Sequence, residues 1–404
     1  MPQLRIEPFR WLAAELGGEN PQPVFRDRSP DLAVQALPSL AEAQRQHLGE
    51  SCGRRILPYR LQDRYDRKRQ PRDFRGLVLE NESLKAIFLP ELGGRLMSLL
   101  HKPTGRELLY RNPVFQPANL AGRDAWFAGG IEWNVGQFGH AFHTCSPVFA
   151  AAIPGLDGGQ GLRLYDYERL TGLLWQIDFH LPEAAEFLYA FIRVINPRPT
   201  PSPMYWWTNT AVPESPDVRV LAPAPSAIYV DMTSYLRDGR LYYGGMELPG
   251  LPTIGGRDGT YSTNVPFSSE FYFQCQEAAM PWEAALDGEG EGFEEASTHP
   301  LAVRKLFCWG SHQGGRHWQE FLAEPGCRYL EIQAGLAPTQ LHGMTLPGNG
   351  QWSWTQAFGR LAADPAKVHS RDWTTAWQAA EAALRERLAP AELAGIQEQC
   401  RRLA

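Results

Sequence analysis

The stretch Leu84-Lys85-Ala86-Ile87-Phe88-Leu89, then Pro90-Glu91-Leu92-Gly93-Gly94, then Arg95-Leu96-Met97-Ser98-Leu99-Leu100 decides the fold class. Two short apolar runs flank a segment whose proline and paired glycines interrupt regular structure, which reads as strand, turn, strand. The same grammar continues from Leu77 to about Gly359. Phe187 to Ile195, Met204 to Val212, Phe271 to Cys275, Val303 to Trp309 and Tyr329 to Gln333 are short β-type runs. Gly, Pro, Asn and Asp separate them at the spacing of an all-β sandwich.

The flanks read differently. Pro21, Pro23, Pro30 and Pro38 break the first apolar pieces, and Leu40 to Leu48 suggests one brief helix, so residues 1–52 are expected to form an N-terminal capping segment. At the other end Trp373, Trp377, Ala380 and Leu384 share one helical stripe. Pro390 then opens a second helix carrying Leu393, Ile396, Cys400 and Leu403. Residues 366–404 are expected as a helical hairpin and residues 53–365 as the β domain between the flanks.

A chain of 404 residues with 43% hydrophobic content can bury a sizeable core. Its net charge is −6, and the basic cluster Arg64, Arg67, Lys68, Arg69, Arg72 and Arg75 is interleaved with Asp63, Asp66 and Asp73. That mixture suits a salt-bridged linker rather than the one-sided field that nucleic acid needs, so no nucleic-acid partner is expected. The six cysteines form no Cys-x-x-Cys pair, which fits reduced thiols and a cytoplasmic location. No export-type start and no run of eighteen apolar residues occur, so no membrane partner is expected. Phosphate-loop, Gly-x-Ser-x-Gly and His-Glu-x-x-His motifs are absent, and a homo-oligomer is left open.

Chemistry concentrates in Gly129-Gly130-Ile131-Glu132-Trp133-Asn134 and Gly139-His140-Ala141-Phe142-His143. Glycines let backbone approach a ligand closely, while Glu, Asn and His orient a polar ligand such as a sugar. A surface hairpin whose glycines only serve its turns would carry the same residues. Strand alternation puts Tyr329, Glu331 and Gln333 on one face and Leu330 and Ile332 on the other. If the polar face is sheltered, Glu331 is desolvated with a raised pKa, as a general acid near neutral pH requires. Alternation also sets Tyr205, Trp207 and Asn209 opposite Trp206, Thr208 and Thr210. With 13 tryptophans, Trp126, Trp133, Trp207, Trp309, Trp318, Trp352 and Trp354 among them near glycine or polar residues, a carbohydrate-handling surface is expected. His140 and His143 lack a helix or further ligands to make a metal site, and a hydrogen bond to substrate or to Glu132 suits His140 better. Residues 310–317 read as a loop over the cleft, and Thr144 to Pro154 and the acidic run Glu289 to Glu295 as loops that shape it.

The run Leu79 to Leu99, continuing through Thr104-Gly105-Arg106-Glu107-Leu108-Leu109-Tyr110, resembles the opening strands of the galactose-mutarotase-like superfamily. The ordered set Gly129 to Asn134, Trp207-Thr208-Asn209, Phe307-Cys308-Trp309-Gly310, Glu331-Ile332-Gln333-Ala334-Gly335 with Gln340, and Pro347-Gly348 before Trp352 to Trp354 resembles an uncharacterised bacterial branch of it. That branch is a domain of unknown function often fused to tetratricopeptide repeats, and the resemblance covers roughly Gly53 to Gly359. It implies a large antiparallel β-supersandwich with a sugar cleft on the concave side of one sheet. In aldose 1-epimerases of the superfamily a late glutamate takes the anomeric hydroxyl proton and a mid-chain histidine protonates the ring oxygen. The resemblance puts Glu331 at that glutamate, but the strand matching the histidine, Met204 to Val212, contains none.

Glu132 is a second carboxylate, and two carboxyl groups from distant strands are the usual apparatus of glycoside hydrolysis. The expectation is therefore a carbohydrate-active enzyme working at the anomeric centre of a saccharide, a glycoside hydrolase with Glu331 and Glu132 as acid and base. Arg95, Trp133, Asn134, His140, His143, Trp207, Asn209, Trp309 and Gln333 are the expected sugar contacts, with neither metal nor cofactor. Aldose 1-epimerisation and a non-catalytic carbohydrate-binding module are the alternatives.

Overall fold

The Leu84–Leu89 and Arg95–His101 runs pair antiparallel around the glycine turn, with one irregularity between Ile87 and Phe88. This computed structural model describes residues 3–24, 29–53, 55–136, 139–248 and 253–404. The pair belongs to a 14-stranded sheet that faces an 8-stranded one. Through the middle of the larger sheet the order is Ser269–Gln274, Val303–Cys308, Tyr329–Gly335, Trp206–Pro213, Ile131–Val135, Arg95–His101, Leu84–Leu89, Gln70–Glu80, Gln3–Ala13, almost all antiparallel. The smaller sheet is built around Gln351–Ala362, which lies between Glu291–Ser297 and Phe187–Ile195.

Period-two alternation explains the two-layer packing. Trp133 and Trp206 of the larger sheet point toward the smaller one, where Trp354 lies 5.3 Å from Trp206 and Phe179 5.3 Å from Trp133 between ring centroids. The alternate residues of those strands therefore face the opposite, outer side of the large sheet, where the polar chemistry gathers.

Several local expectations change. The first residues contribute more than a cap, since Gln3–Ala13 pairs with Gln70–Glu80 along its whole length. The mixed basic stretch is thus a linker only before Gln70; beyond it, alternating charges line a strand whose ion pairs include Arg10–Asp73 and Arg72–Glu15. Leu40 to Leu48 holds only a 3-10 turn at Glu42–Arg45. Phe149–Pro154 is a strand at the edge of the smaller sheet, and the acidic run enters the strand Glu291–Ser297, so neither shapes the cleft as a loop. The helix Gln313–Leu322 replaces most of the expected 310–317 loop despite Gly314 and Gly315.

The helices Trp373–Arg385 and Pro390–Leu403 pack on the strand Gln351–Ala362, and their buried Trp373, Ala380, Leu384 and Leu393 join the same apolar core as the sheets. Asp372 caps the first by accepting from Thr375 N at 2.7 Å. Among the described residues no helix is long and apolar enough to cross a membrane.

Candidate active site

Strand register brings distant residues into one row. Glu132 stands opposite Asn209, Asn209 opposite Gln333 and Gln333 opposite Lys305, while Glu331 lies one pleat along from Gln333 on the same face. This face floors a cavity of about 1400 Å³ lined by Trp126, His140, Asn209, Lys305, Glu331 and Gln333. The glycines before Glu132 make its placement feasible. Gly130 has φ +69°, and a Cβ there would sit 2.4 Å from the Leu96 carbonyl oxygen, so only glycine lets the chain close onto the Arg95–His101 strand.

Glu132 is 4% exposed, and both of its oxygens are taken. One accepts from Trp126 Nε1 at 3.0 Å and from His140 Nδ1 at 2.9 Å. The other accepts from the Thr144 hydroxyl and lies 3.5 Å from Arg95 Nη2. Burial opposes ionisation, but the charges of His140 and Arg95 and the hydrogen bonds from His140 and Thr144 hold the carboxyl well below the usual range. An ionised carboxylate can only accept, so His140 must carry its proton on Nδ1 and present Nε2 as the other ring nitrogen of a side chain that lines the cavity. Trp126, whose ring centroid is 5.1 Å from that of His140, braces the imidazole from the side.

Glu331 has the opposite electrostatic character. Burial raises its pKa and the negative Glu132 raises it further, against the lowering influence of His140, Lys305 and a hydrogen bond from Gln333. A relay of polar side chains fixes its orientation. Lys305 Nζ, bound to Glu270 at 3.0 Å, donates to Gln340 Oε1 at 2.7 Å, Gln340 Nε2 donates to Gln333 Oε1 at 2.9 Å, and Gln333 Nε2 donates to Glu331 Oε2 at 2.8 Å. Two carboxyl groups whose environments push their pKa values apart, with an oriented imidazole beside one of them, constitute an acid and base arrangement. Among the described residues no group of three or more His, Cys, Asp or Glu side chains is placed to hold a metal ion.

Residues 53–349, well over half of the chain, match the model of a family described as a domain of unknown function, DUF5107. The chain belongs to that family. A TPR-domain containing protein from Parabacteroides distasonis shares its fold at a TM-score of 0.66 and 20% identity, over 89% of this chain and 55% of that one. This DUF5107 chain therefore spans about half the length of that protein. A "putative aldose 1-epimerase" from Klebsiella pneumoniae is similar at a TM-score of 0.51 and 13% identity, over 78% of this chain and 85% of that one. These likenesses show the fold to be the large galactose-mutarotase-like β-sandwich.

Within this DUF5107 chain the expected contacts divide. His140, Asn209, Trp309, Gln333 and Glu331 line the cavity. Asn209 Oδ1 is buried without a protein partner, leaving hydrogen-bonding capacity at its wall. The others do not line it. Trp133 faces the inter-sheet core and donates to the Gly94 carbonyl, because odd-numbered residues of Ile131–Val135 point inward. Trp207 shares the outer face with Asn209 but is fully buried there, lying over Gly335 and against Tyr272 in a cluster with Leu40 and Tyr243, so it offers no open platform. Asn134 braces the adjoining turn by accepting from Ala141 N at 2.7 Å. Arg95 spends its guanidinium on the Phe127 and Gly129 carbonyls, Thr144 and Glu132. His143 stacks on Trp175 at 4.9 Å, and burial lowers its pKa to about 4, so it is a neutral packing residue. Glu132 stands behind His140 and is not among the residues that line the cavity.

Sequence reasoning left out Lys305 and Glu270, and named Trp126 only as one of several tryptophans suited to a carbohydrate surface. A lysine within the strand run Val303 to Cys308 was the available signal for the first. Glu270 becomes recognisable only when register sets its strand beside that of Lys305.

Proposed function

We propose that this chain hydrolyses a glycosidic bond, with Glu331 as general acid and His140, held by Glu132, as general base. The observation that carries the reading is the opposed pair in one cavity: a carboxyl whose pKa burial raises and an imidazole hydrogen-bonded to a carboxylate whose pKa is lowered. Glu331 gives its proton to the glycosidic oxygen as the bond from C1 to that oxygen breaks. His140 Nε2 takes a proton from a water whose oxygen bonds to C1. The water enters on the face opposite the leaving group, so the first product has inverted configuration. Glu132 never touches the sugar. It positions the imidazole and stabilises the positive charge that forms, as carboxylates do in histidine dyads.

Anomer interconversion is the second reading, and the facing of Glu331 and His140 is what favours it. The same two groups could move protons at the anomeric hydroxyl and the ring oxygen, with His140 arriving from the loop after Ile131–Val135 in place of the absent histidine of the Trp206–Pro213 strand. One experiment separates the readings. Purified protein is incubated with a panel of gluco-, galacto- and xylo-configured oligosaccharides and with freshly dissolved single anomers, followed by proton NMR at the anomeric positions. Hydrolysis predicts new reducing ends first seen as the inverted anomer, with turnover falling roughly 10²–10⁴-fold in Glu331→Gln while saccharide binding persists. Accelerated mutarotation without new reducing ends would overturn hydrolysis in favour of epimerisation. Binding that Glu331→Gln leaves intact, with wild-type protein inert in both assays, would mark a binding module.

A further inference from the structure

The cavity extends past the acid and base to a wall that this chemistry does not use. At about 1400 Å³ it exceeds the roughly 300–1,000 Å³ of ordinary small-molecule sites. Phe267 and Trp318 line it and remain 43% and 40% exposed, in a chain that buries most of its large aromatic side chains. Exposed apolar rings on a concave wall are a recognition feature more than a packing residue.

Position along the sheet gives this wall its meaning. Counting outward from Glu132, the strands Trp206–Pro213, Tyr329–Gly335, Val303–Cys308 and Ser269–Gln274 follow in order. His140 stands at the Glu132 end, Glu331 in the middle, and Phe267 just before the far strand. Two strand spacings, about 10 Å, separate the strand of Glu331 from that far strand. The helix carrying Trp318 follows Val303–Cys308 in the chain and begins beside Phe267, where Ser311 N and His312 N meet the Val265 and Pro266 carbonyls. Glu331 thus stands between His140 and Phe267 along the sheet, and a bond protonated by Glu331 would have Phe267 on the side away from His140.

Both rings are held while part of their surface stays open. The helix is fixed from beneath by Gln319 Nε2 donating to the Tyr329 carbonyl at 2.8 Å and by Asn112 Nδ2 donating to the Leu322 carbonyl at 3.0 Å. Arg67 stacks 3.8 Å from the Phe321 ring, against whose edge Trp318 packs. Across the mouth, Ser311 N and His312 N bond to the Val265 and Pro266 carbonyls at 2.8 and 3.0 Å, and the His312 ring supports Phe267 at 4.8 Å. Rings ordered before a ligand arrives lose little entropy on binding, which is what a stacking subsite requires.

We infer that Phe267 and Trp318 form a second saccharide subsite that takes the leaving-group ring, so the substrate is a neutral di- or oligosaccharide rather than a monosaccharide or a small glycoside. Pyranose rings present an apolar C–H face to such a wall. Lys305, the buried ammonium of the cavity, is already neutralised by Glu270, which leaves no demand for an anionic sugar from that residue. The inference rests on the proposed hydrolysis for the side on which the leaving group lies, and on the cavity alone for the existence of the subsite.

The test is isothermal titration of wild type, Trp318→Ala and Trp318→Tyr with mono-, di- and trisaccharides of the panel above, together with kcat/KM on whichever is cleaved. Affinity is expected to rise at least about tenfold from mono- to disaccharide in wild type. Trp318→Ala should lose that gain while monosaccharide affinity stays unchanged, and Trp318→Tyr should keep most of it. Equal mono- and disaccharide affinity in wild type, or a disaccharide affinity and kcat/KM that Trp318→Ala leaves untouched, overturns the subsite even if hydrolysis is observed. Tight, Trp318-dependent binding of a disaccharide that is never cleaved overturns hydrolysis and leaves the subsite standing. Binding of no saccharide overturns both.

Discussion

Glu132 is surrounded by donors on every side that the structure describes, and that completeness sets its role. Its negative charge also reaches Glu331 and adds to the upward shift that burial gives that carboxyl. In Glu132→Gln the charge disappears, so Glu331 should give up its proton at lower pH. A general acid works only while protonated, and activity is lost as pH rises through its pKa. The alkaline limb of the kcat/KM profile should therefore move to lower pH in Glu132→Gln, alongside a fall in rate from poorer positioning of His140. A purely structural role would lower the rate without moving the limb. The sequence pointed to Glu331, His140, Asn209, Trp309 and Gln333 because strand alternation and polar neighbours are local information. It could not distinguish Arg95, Asn134 and His143, which hold the site together from behind, from groups that line it. That distinction depends on which turn folds over which strand.

At the scale of elements, long alternating or helical stripes were legible and short or mixed ones were not. Phe187–Ile195 and Leu84–Leu89 have the bounds expected for them, since each is a mostly apolar run, broken only by Arg193 or Lys85, between turn residues. Gln3–Ala13 escaped because Pro8 and alternating charges hide its buried residues Phe9, Trp11 and Ala13, and only its partner strand makes it one. The acidic strand Glu291–Ser297 escaped because carboxylates are rare in cores. The terminal helices allow a direct test of whether they fold with the sandwich. Trp373 is buried, stacks on Phe273 at 5.8 Å and donates to the Ala224 carbonyl at 3.1 Å, so it ties the helix Trp373–Arg385 to both sheets' core. Trp373→Ala should destabilise the whole chain by about 3–5 kcal/mol, and Asp372→Ala, which removes only the helix cap, by about 1 kcal/mol. Urea unfolding followed by tryptophan fluorescence should show one shared transition, displaced in both variants. A separate early transition for the helices, with the main one unmoved, would mean that they fold independently.

For the molecule as a whole, the layers enclose charges that the catalytic chemistry does not use, and these predict how stability varies with pH. Glu283 and Glu295 pair between the sheets, while Glu294, on the other face of its strand, is held within range of Arg387. Burial raises all three, Glu295 to about 7, Glu294 to about 8 and Glu283 well above its ordinary value. A carboxyl raised on folding contributes stability that is fully present below its unfolded pKa and is lost as pH rises through the folded value. His143 and His180, both lowered by burial to about 4, act in the opposite sense, since their contribution is present above the unfolded histidine pKa and is lost as pH falls toward 4. The two trends oppose each other below about pH 6.5, the unperturbed value for histidine. Above it only the carboxylate trend remains, so the melting temperature should fall steadily from about pH 6.5 to about pH 8. Both Glu294 oxygens are buried without a partner, and an amide of the same shape cannot ionise, so Glu294→Gln should flatten that slope. Differential scanning calorimetry of wild type and Glu294→Gln across this range provides the measurement. Identical slopes in the two proteins would mean that the buried carboxyl titrates alike in the folded and unfolded chain, contrary to the enclosure that the two sheets and the helices over them create.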